Sequence, residues 1–207
     1  MSDQGVDESK RATLRRFAAL GTAGSFARFA GDATAQSDEE SDARAAIAGY
    51  LEATPGAHFS KIRDDLHLGT GEAQHHLRQL VETERIESYK DGDYRRFVPV
   101  DRFDTFEKTA LSYLRRETPR GMILTLLSDA EATGGEIADT VDVSRPTVSK
   151  YAAELEEAGL LSRESGYDLV DPERVLLLVV RYADSFGPDA ITFAEDAADL
   201  VTVTDQQ

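Results

Sequence analysis

The stretch VSRPTVSKYAAELEEAGLL, residues 143–161, has the pattern of a helix with a defined start and a defined end. Ser144 is a residue type that caps helix N-termini, because its side-chain oxygen accepts a hydrogen bond from a free backbone N–H. Pro146 falls in the first turn, where its missing N–H removes no hydrogen bond. Gly159 is a natural C-terminal stop. The sequence therefore predicts a helix of about three to four turns between Ser144 and Gly159.

The segments around this helix complete a recurring unit. PRGMILTLLSD, residues 119–129, has the apolar spacing of a helix, and EIADTV, residues 136–141, predicts a short second helix. A tight turn through Asp142 and Val143 connects the second helix to the third. LLSRESGYDLVD then predicts two short strands around a glycine turn. Helix, helix, turn, helix and a two-stranded wing make a winged helix-turn-helix.

The same order of elements occurs earlier in the chain. Residues 47–88 align with residues 122–163 at a constant shift and without a gap, so that Ile62 meets Ile137. Matching apolar positions over the whole register indicate one supersecondary unit used twice. The predicted fold class is mainly α with small β wings (α+β), arranged as two tandem winged helix-turn-helix domains.

In the first copy, helices are predicted over residues 43–53, 59–67 and 70–83. Its wing, RIESYKDGDYRRFVPV, contains an Asp-Gly pair at residues 91–92, which is a strong hairpin signal. Glu84 stands where the second copy has the glycine that ends its third helix. This difference predicts a less clean end for the third helix of the first copy.

These patterns divide the chain into five parts. They are residues 1–40, a basic N-terminal arm or helix plus a linker over 33–41; residues 41–102, the first winged helix-turn-helix domain; residues 103–118, a connecting helix; residues 119–171, the second winged helix-turn-helix domain; and residues 172–207, a C-terminal helix and an acidic tail with one short helix, FAEDAADLV.

The N-terminal segment, residues 9–31, carries five basic residues and no acidic one. Its basic start and short apolar stretch have a passing likeness to a twin-arginine export signal, but Arg28 interrupts the apolar part. The favoured interpretations are an amphipathic helix that packs on a partner subunit and a basic arm that adds phosphate contacts.

The composition narrows the class of protein. Asp and Glu total 39 against 23 Lys and Arg, and lysine is scarce, a pattern that resembles proteins of salt-accumulating halophilic archaea. Such acidity repels DNA, but at molar salt the screening length falls to about 3 Å, so nucleic-acid binding stays open. The absence of cysteine excludes disulfides and thiolate chemistry. No apolar run approaches the roughly 18 residues of a membrane span.

The segments PGAHFSKIRDDLHLGTGEAQHHLRQLVETERIESYKDGDYRRFVP and GGEIADTVDVSRPTVSKYAAELEEAGLLSRESGYDLVD resemble the tandem winged-helix transcription regulators of haloarchaea, which are broadly related to the MarR and ArsR groups. The resemblance implies a cytoplasmic homodimer that binds double-stranded DNA. The sequence contains no phosphate-binding loop, no nucleophile elbow and no other pattern that indicates an enzyme, and it implies no cofactor. His75 and His76 are adjacent and diverge on a helix, which disfavours a metal site.

Helical rotation separates buried from outward positions on each third helix. Ala73, Leu77 and Leu80 share one face and are expected in the core, which leaves His75 and its counterpart Lys150 outward. A recognition helix reads the major groove with its N-terminal half, and a basic wing contacts phosphates. The predicted DNA-binding residues are Thr70, Gly71, Gln74, His75, Arg78, Lys90, Arg95, Arg96, Arg145, Pro146, Thr147, Ser149 and Lys150.

The sequence is also compatible with other roles for these residues. Arg95 and Arg96 could pair with acidic neighbours such as Asp91, and Arg145 and Lys150 could belong to an ordinary solvated helix face. The second copy could then serve in dimerisation or docking. The alternative function is a winged-helix module that docks on transcription machinery, or on another protein partner, without reading bases.

The C-terminal helix, PERVLLLVVRYADSF, is predicted to open at Asp171 and Pro172. Its apolar positions cover more surface than one small domain usually buries. Either a homodimer or simple core packing explains this surface. The positions that share one face are Val175, Leu178, Val179 and Tyr182, with Leu176, Leu177 and Val180 beside them.

Overall fold

The computed structural model describes residues 35–204, and these divide into two compact units after Phe103. The first unit consists of α1 (Ala35–Ala53), β1 (Ala57–His58), α2 (Phe59–Asp65), α3 (Thr70–Glu82), β2 (Ile86–Asp91) and β3 (Tyr94–Pro99). The strands form an antiparallel sheet in the order β1-β3-β2. Three helices and this sheet make a winged helix-turn-helix.

The second unit has the same elements between additional helices. It consists of α4 (Thr105–Leu114), α5 (Glu117–Ser128), α6 (Gly134–Val141), α7 (Arg145–Glu157), β4 (Leu161–Ser162), β5 (Asp168–Leu169), α8 (Pro172–Phe186) and α9 (Pro188–Thr204). The strands β4 and β5 pair antiparallel as a short wing. The predicted fold class, two tandem winged-helix domains of mainly α structure, is confirmed.

Each unit buries its own core. In the first unit, Ile47 and Leu51 of α1 and Ile62 of α2 belong to one hydrophobic core, and all three side chains are fully buried. Burial of one such aliphatic side chain contributes about 1.5–3 kcal/mol to stability. In the second unit, Met122 and Ile137 are equally buried. These cores hold the third helix of each copy by one face, and the other face is left to the solvent.

The two copies use the same turn before the third helix. His67 and Asp142 occupy equivalent positions, and both have left-handed backbone angles, with φ of 53° and 55°. In each copy the amide of the following residue donates to the carbonyl five residues earlier, at 2.9 Å and 3.0 Å. The repeat seen in the sequence therefore extends to individual backbone hydrogen bonds.

The third helices also end alike, so the prediction of a less clean end for α3 is wrong. Glu84 has φ of 52° and its counterpart Gly159 has φ of 73°. The next amides, of Arg85 and Leu160, each donate to the carbonyl five residues back at 2.9 Å. The end of α3 is therefore closed by the same hydrogen bonds. Because Glu84 has a Cβ, its left-handed backbone conformation lowers the stability of the fold.

Three other expectations need correction. Residues 35–41 belong to α1 and not to a linker. Residues 103–118 do not form one continuous helix, because α4 ends at Leu114 and α5 begins at Glu117. The last helix, α9, is longer than the predicted segment FAEDAADLV. The predicted basic arm, residues 9–31, lies outside the described residues.

The C-terminal helix α8 begins at Pro172, as the sequence predicts. Its first apolar face packs inside the second unit, where the side chains of Val175, Leu178, Val179 and Tyr182 are all buried. Two further apolar side chains stay in solvent, since Leu177 is 68% exposed and Val180 is 44% exposed. Core packing thus accounts for most of this helix and leaves a smaller apolar strip unpartnered among the described residues.

We expect Glu84→Gly to raise the free energy of unfolding by about 1 kcal/mol, because glycine adopts positive φ without a Cβ clash. Gly159→Ala is the matched reverse change and should lower it by a similar amount. A Cβ at Gly159 would meet no atom within 4 Å, so its cost reports the backbone angle alone. Urea denaturation in concentrated KCl measures the free energy of unfolding of both variants. A loss of stability in Glu84→Gly would contradict the assignment of strain to this position.

Candidate nucleic-acid interface

The outward face of α3 carries five of the predicted DNA-binding residues. The opposite face is fixed in the core, where Ala73, Leu77 and Leu80 are at most 4% exposed. The start of α3 is held by a hydrogen bond from the Gly69 amide to the Glu72 carboxylate, 3.0 Å. We call the outward set the first tip; its members, all exposed, are Thr70, Gly71, Gln74, His75 and Arg78.

The helix α7 presents the equivalent face in the second unit. Val148, Ala152 and Leu155 are at most 1% exposed. Ser144 caps the helix by accepting a hydrogen bond from the Thr147 amide, 3.3 Å. We call the outward set the second tip; its members are Arg145, Pro146, Ser149 and Lys150, all exposed, and Thr147, which is half-buried.

The two basic side chains of the second tip, those of Arg145 and Lys150, have different surroundings. The Lys150 side chain is 68% exposed, and its Nζ lies 3.7 Å from a carboxylate oxygen of Glu154, a loose pair in water. Arg145 lies over the start of α6, since a Cβ built at Gly135 would come within 3.0 Å of an Arg145 guanidinium nitrogen. Gly135 thus leaves room for this guanidinium beside the turn that precedes α7.

The wing of the first unit separates its two adjacent arginines. Successive side chains of a strand point to opposite faces of the sheet. Arg95 is exposed, lies directly opposite Lys90 in the β2–β3 register, and donates from Nε to the Ser88 hydroxyl, 2.9 Å. Lys90 and Arg95 are therefore two neighbouring cations on the solvent side of the wing.

Arg96 lies on the other side of the wing and is 3% exposed. Its Nε donates to the Asp91 carboxylate at 2.6 Å, and its Nη1 donates to the Gly56 carbonyl at 2.9 Å. A guanidinium held this way has no access to phosphate. The expectation that Arg96 contacts DNA is therefore corrected: it anchors the wing to the chain before β1.

Sequence reasoning missed an aromatic side chain at the wing. Tyr94 is 53% exposed directly after the hairpin turn, and its ring lies 5.0 Å from the imidazole of His58. An exposed aromatic beside an Asp-Gly turn was the available signal. The stack with His58 could not be seen, because it depends on the pairing of β1 with β3.

The wing of the second unit offers little free positive charge. Its basic residue Arg163 donates from Nε to the Glu156 carboxylate of α7 at 2.8 Å. This hydrogen bond holds the pKa of Glu156 below its ordinary value. Between the start of α6 and the end of β5, the basic residues other than Arg163 are thus Arg145 and Lys150 of the second tip.

Metal-ion binding finds no support in the described part of the chain, residues 35–204. No group of three or more His, Asp, Glu or Cys side chains there is arranged to hold an ion. His58 instead caps α2, where its Nδ1 accepts a hydrogen bond from the Lys61 amide at 3.3 Å.

Two winged helix-turn-helix units, each with a polar recognition helix held by one face, place the protein in the class of tandem winged-helix proteins. Comparison with known families agrees: residues 41–111 match the family model described as an N-terminal HTH domain, and residues 117–168 match that of the MarR family. The chain therefore carries an HTH domain and a MarR-family domain in tandem, which confirms the resemblance to MarR-like tandem regulators.

These family matches support a DNA-binding transcription regulator. None of the curated proteins matches the chain. Among the described residues, no helix combines the length and the apolar character needed to cross a bilayer.

We expect Arg96→Gln to lower the free energy of unfolding by about 3 kcal/mol, because it leaves the nearly buried Asp91 carboxylate without its cation. Arg95→Gln, one residue away on the solvent side, should change stability by less than about 0.5 kcal/mol. Urea denaturation in KCl compares the two variants. Equal stability of both variants would show that Arg96 does not anchor the wing.

Proposed function

We propose that the protein is a sequence-specific regulator of transcription that acts as a homodimer and reads the major groove with its recognition helices. The observation that carries this proposal is the placement of the two tips. In both units, the core fixes one face of the third helix and leaves short polar and basic side chains at the outward N-terminal half. That half is the part of a recognition helix that approaches base edges.

The first tip has the side chains that direct readout requires. Gln74 and Arg78 suit bidentate hydrogen bonds to adenine and guanine, and Gly71 lets the backbone approach the duplex closely. Lys90 and Arg95 on the wing supply the phosphate contacts that set register and affinity. The first unit therefore combines base reading with backbone binding.

The second unit contributes differently. Lys150 and Arg145 can reach phosphates or base edges, but the wing's Arg163 is already paired with Glu156. We assign to this unit a smaller share of the affinity. Because DNA binding requires access to the chromosome, we place the protein in the cytoplasm.

A homodimer is supported by the typical behaviour of MarR-family proteins and by the exposed strip on α8. Leu177 is 68% exposed and Val180 is 44% exposed, and a partner copy would remove both from water. Sedimentation equilibrium of the wild-type protein and of Leu177→Glu decides this point, since a dimer formed through α8 should dissociate in the variant.

A second candidate function is docking on another protein without base reading. The pairing of Arg163 with Glu156 favours it, because a wing without free cations is a weak phosphate binder. In that case, purified protein would bind DNA without sequence preference, or would not bind it.

Selection from a random duplex pool in concentrated KCl, followed by gel-shift assays, tests the proposed function. We expect Lys90→Gln with Arg95→Gln to weaken binding to all sequences and to reduce the slope of log K against log [salt] by about 2. His75→Ala or Lys150→Ala should instead change the preferred sequence, at about 1–3 kcal/mol per lost base contact.

Arg102→Gln serves as the matched control, since Arg102 is exposed, pairs loosely with Glu52 at 3.4 Å and lies outside both tips and the wing. It should leave affinity and site preference unchanged. Failure to enrich any sequence from the pool would contradict the proposal and favour docking on a protein.

A further inference from the structure

The repeat copies the fold but not the side chains that face outward from the third helix. On α3, the outward positions recur every three or four residues and form one stripe. This stripe consists of Gly71, Gln74, His75 and Arg78, all exposed. At the register of the repeat, the corresponding stripe of α7 consists of Pro146, Ser149, Lys150 and Ala153, which are also exposed. The two stripes thus hold equivalent places in their own units and differ in chemistry.

The stripe of α3 carries two side chains that can each hold a base by two hydrogen bonds. The Gln74 amide has a donor and an acceptor and suits adenine, and the Arg78 guanidinium has parallel donors and suits guanine. Neither side chain has a hydrogen-bond or ion-pair partner among the described residues, so both are available. The interval from 74 to 78 is about 6 Å along a helix, and base pairs are about 3.4 Å apart. The two contacts therefore fall about two base pairs apart.

The stripe of α7 has shorter side chains at both of these positions. Ser149 stands at the position of Gln74, and Ala153 stands at that of Arg78. A serine hydroxyl both donates and accepts, so it fits any base, and an alanine methyl group contacts the methyl group of thymine. The second unit therefore lacks the pair of side chains that suits adenine and guanine in the first unit.

Lys150 is the long side chain that the stripe of α7 retains. Its Nζ lies 5.3 Å from the centre of the Tyr151 ring and 3.7 Å from a carboxylate oxygen of Glu154. An ammonium group on a flexible stem binds guanine or phosphate alike. Arg145 lies beside the stripe, and its guanidinium lies over Gly135 at the start of α6. The stripe of α7 thus has a single long side chain for base edges.

We propose that each protomer recognises a composite DNA site made of two unlike elements. The element under α3 contains an adenine and a guanine in fixed order, about two base pairs apart. The element under α7 is defined by one guanine, at Lys150, and tolerates substitution at its other positions. A homodimer presents this composite twice, as an inverted repeat. The composite site rests on the proposed DNA-reading function.

The two elements differ in how strongly binding depends on their sequence. Replacement of the base pair at Gln74 or at Arg78 leaves a polar side chain unmatched and should weaken binding about tenfold. Replacement of a base pair under α7, other than the guanine at Lys150, should change the affinity by less than about threefold. Competition gel shifts with singly substituted duplexes measure each position, and equal sensitivity of the two elements contradicts the proposal.

Exchange of stripe residues between the units tests the proposal further. The double variant Ser149→Gln with Ala153→Arg places the base-reading side chains of α3 on α7, at exposed positions. Selection from a random duplex pool in concentrated KCl gives the preferred site of each protein. We expect the element under α7 to acquire an adenine and a guanine at the spacing of the first element. An unchanged second element overturns the proposal.

The reverse double variant, Gln74→Ser with Arg78→Ala, removes these side chains from α3. We expect it to bind the wild-type site at least about tenfold more weakly and to lose the adenine and guanine from its own selected site. The element that remains is then the one under α7. Arg102→Gln, an exposed arginine of the first unit outside the stripe, is the matched control and should leave both elements unchanged. Retention of the adenine and guanine in the reverse variant overturns the proposal.

The exchanged positions are suited to substitution. Ser149 and Ala153 are exposed, and glutamine and arginine are good helix formers, so we expect the variant of α7 to fold. Circular dichroism checks each variant before selection. If the double variant is unfolded, Ala153→Arg alone takes its place, and a new guanine in the second element is the expected result.

The wild-type selection separates the composite site from the function on which it rests. Enrichment of a site built only from copies of one element overturns the composite site and leaves the proposed function in place. Failure to enrich any sequence overturns both.

Discussion

The structure depends on the burial of one face of each third helix. In α3 this face is formed by Ala73, Leu77 and Leu80, and at most 4% of each residue is exposed. A helix held along one stripe cannot rotate, since rotation by one residue, about 100°, would bring polar groups into the core. The outward direction of the polar and basic side chains is therefore set by hydrophobic packing, before any contact with a ligand.

The proposed DNA binding of this acidic chain depends on the positions of a few exposed cations. The net charge of -16 is spread over the whole sequence, whereas Lys90 and Arg95 face each other on the wing, and Lys150 projects from the start of α7. Screening at high salt shortens the reach of distant charges but affects close contacts less. The proposed phosphate contacts therefore depend on this local arrangement and not on the net charge.

The features that sequence reasoning predicted well are local in origin. The cap at Ser144, the proline at 146 and the apolar stripe of α7 all depend on residues within a few positions of each other. The repeat could be recognised because the two copies share their apolar register. It also predicted that His75 and Lys150 are equivalent and outward, and both side chains are exposed.

The features that the sequence did not predict depend on residues that lie far apart in the chain. A strand period of two requires Arg95 and Arg96 to point to opposite faces, but it does not say which of them is buried. That choice depends on β1, a strand of two residues, and on the Gly56 carbonyl, 40 residues away in sequence. The left-handed φ of Glu84 was not predicted either, because glycine is the usual residue at that position of a helix end.

Directed cleavage of DNA tests whether the two tips face a bound duplex, and the absence of cysteine from the chain makes this experiment possible. Gln74 and Ser149, one on each tip, are replaced singly by cysteine, and an iron chelate that cleaves nearby DNA is attached to each. A cysteine in place of Ser128, at the exposed end of α5, is the reference. We expect strand cleavage confined to a few base pairs of a selected site from position 74 and from position 149. Cleavage no more localised than that from position 128 would contradict it.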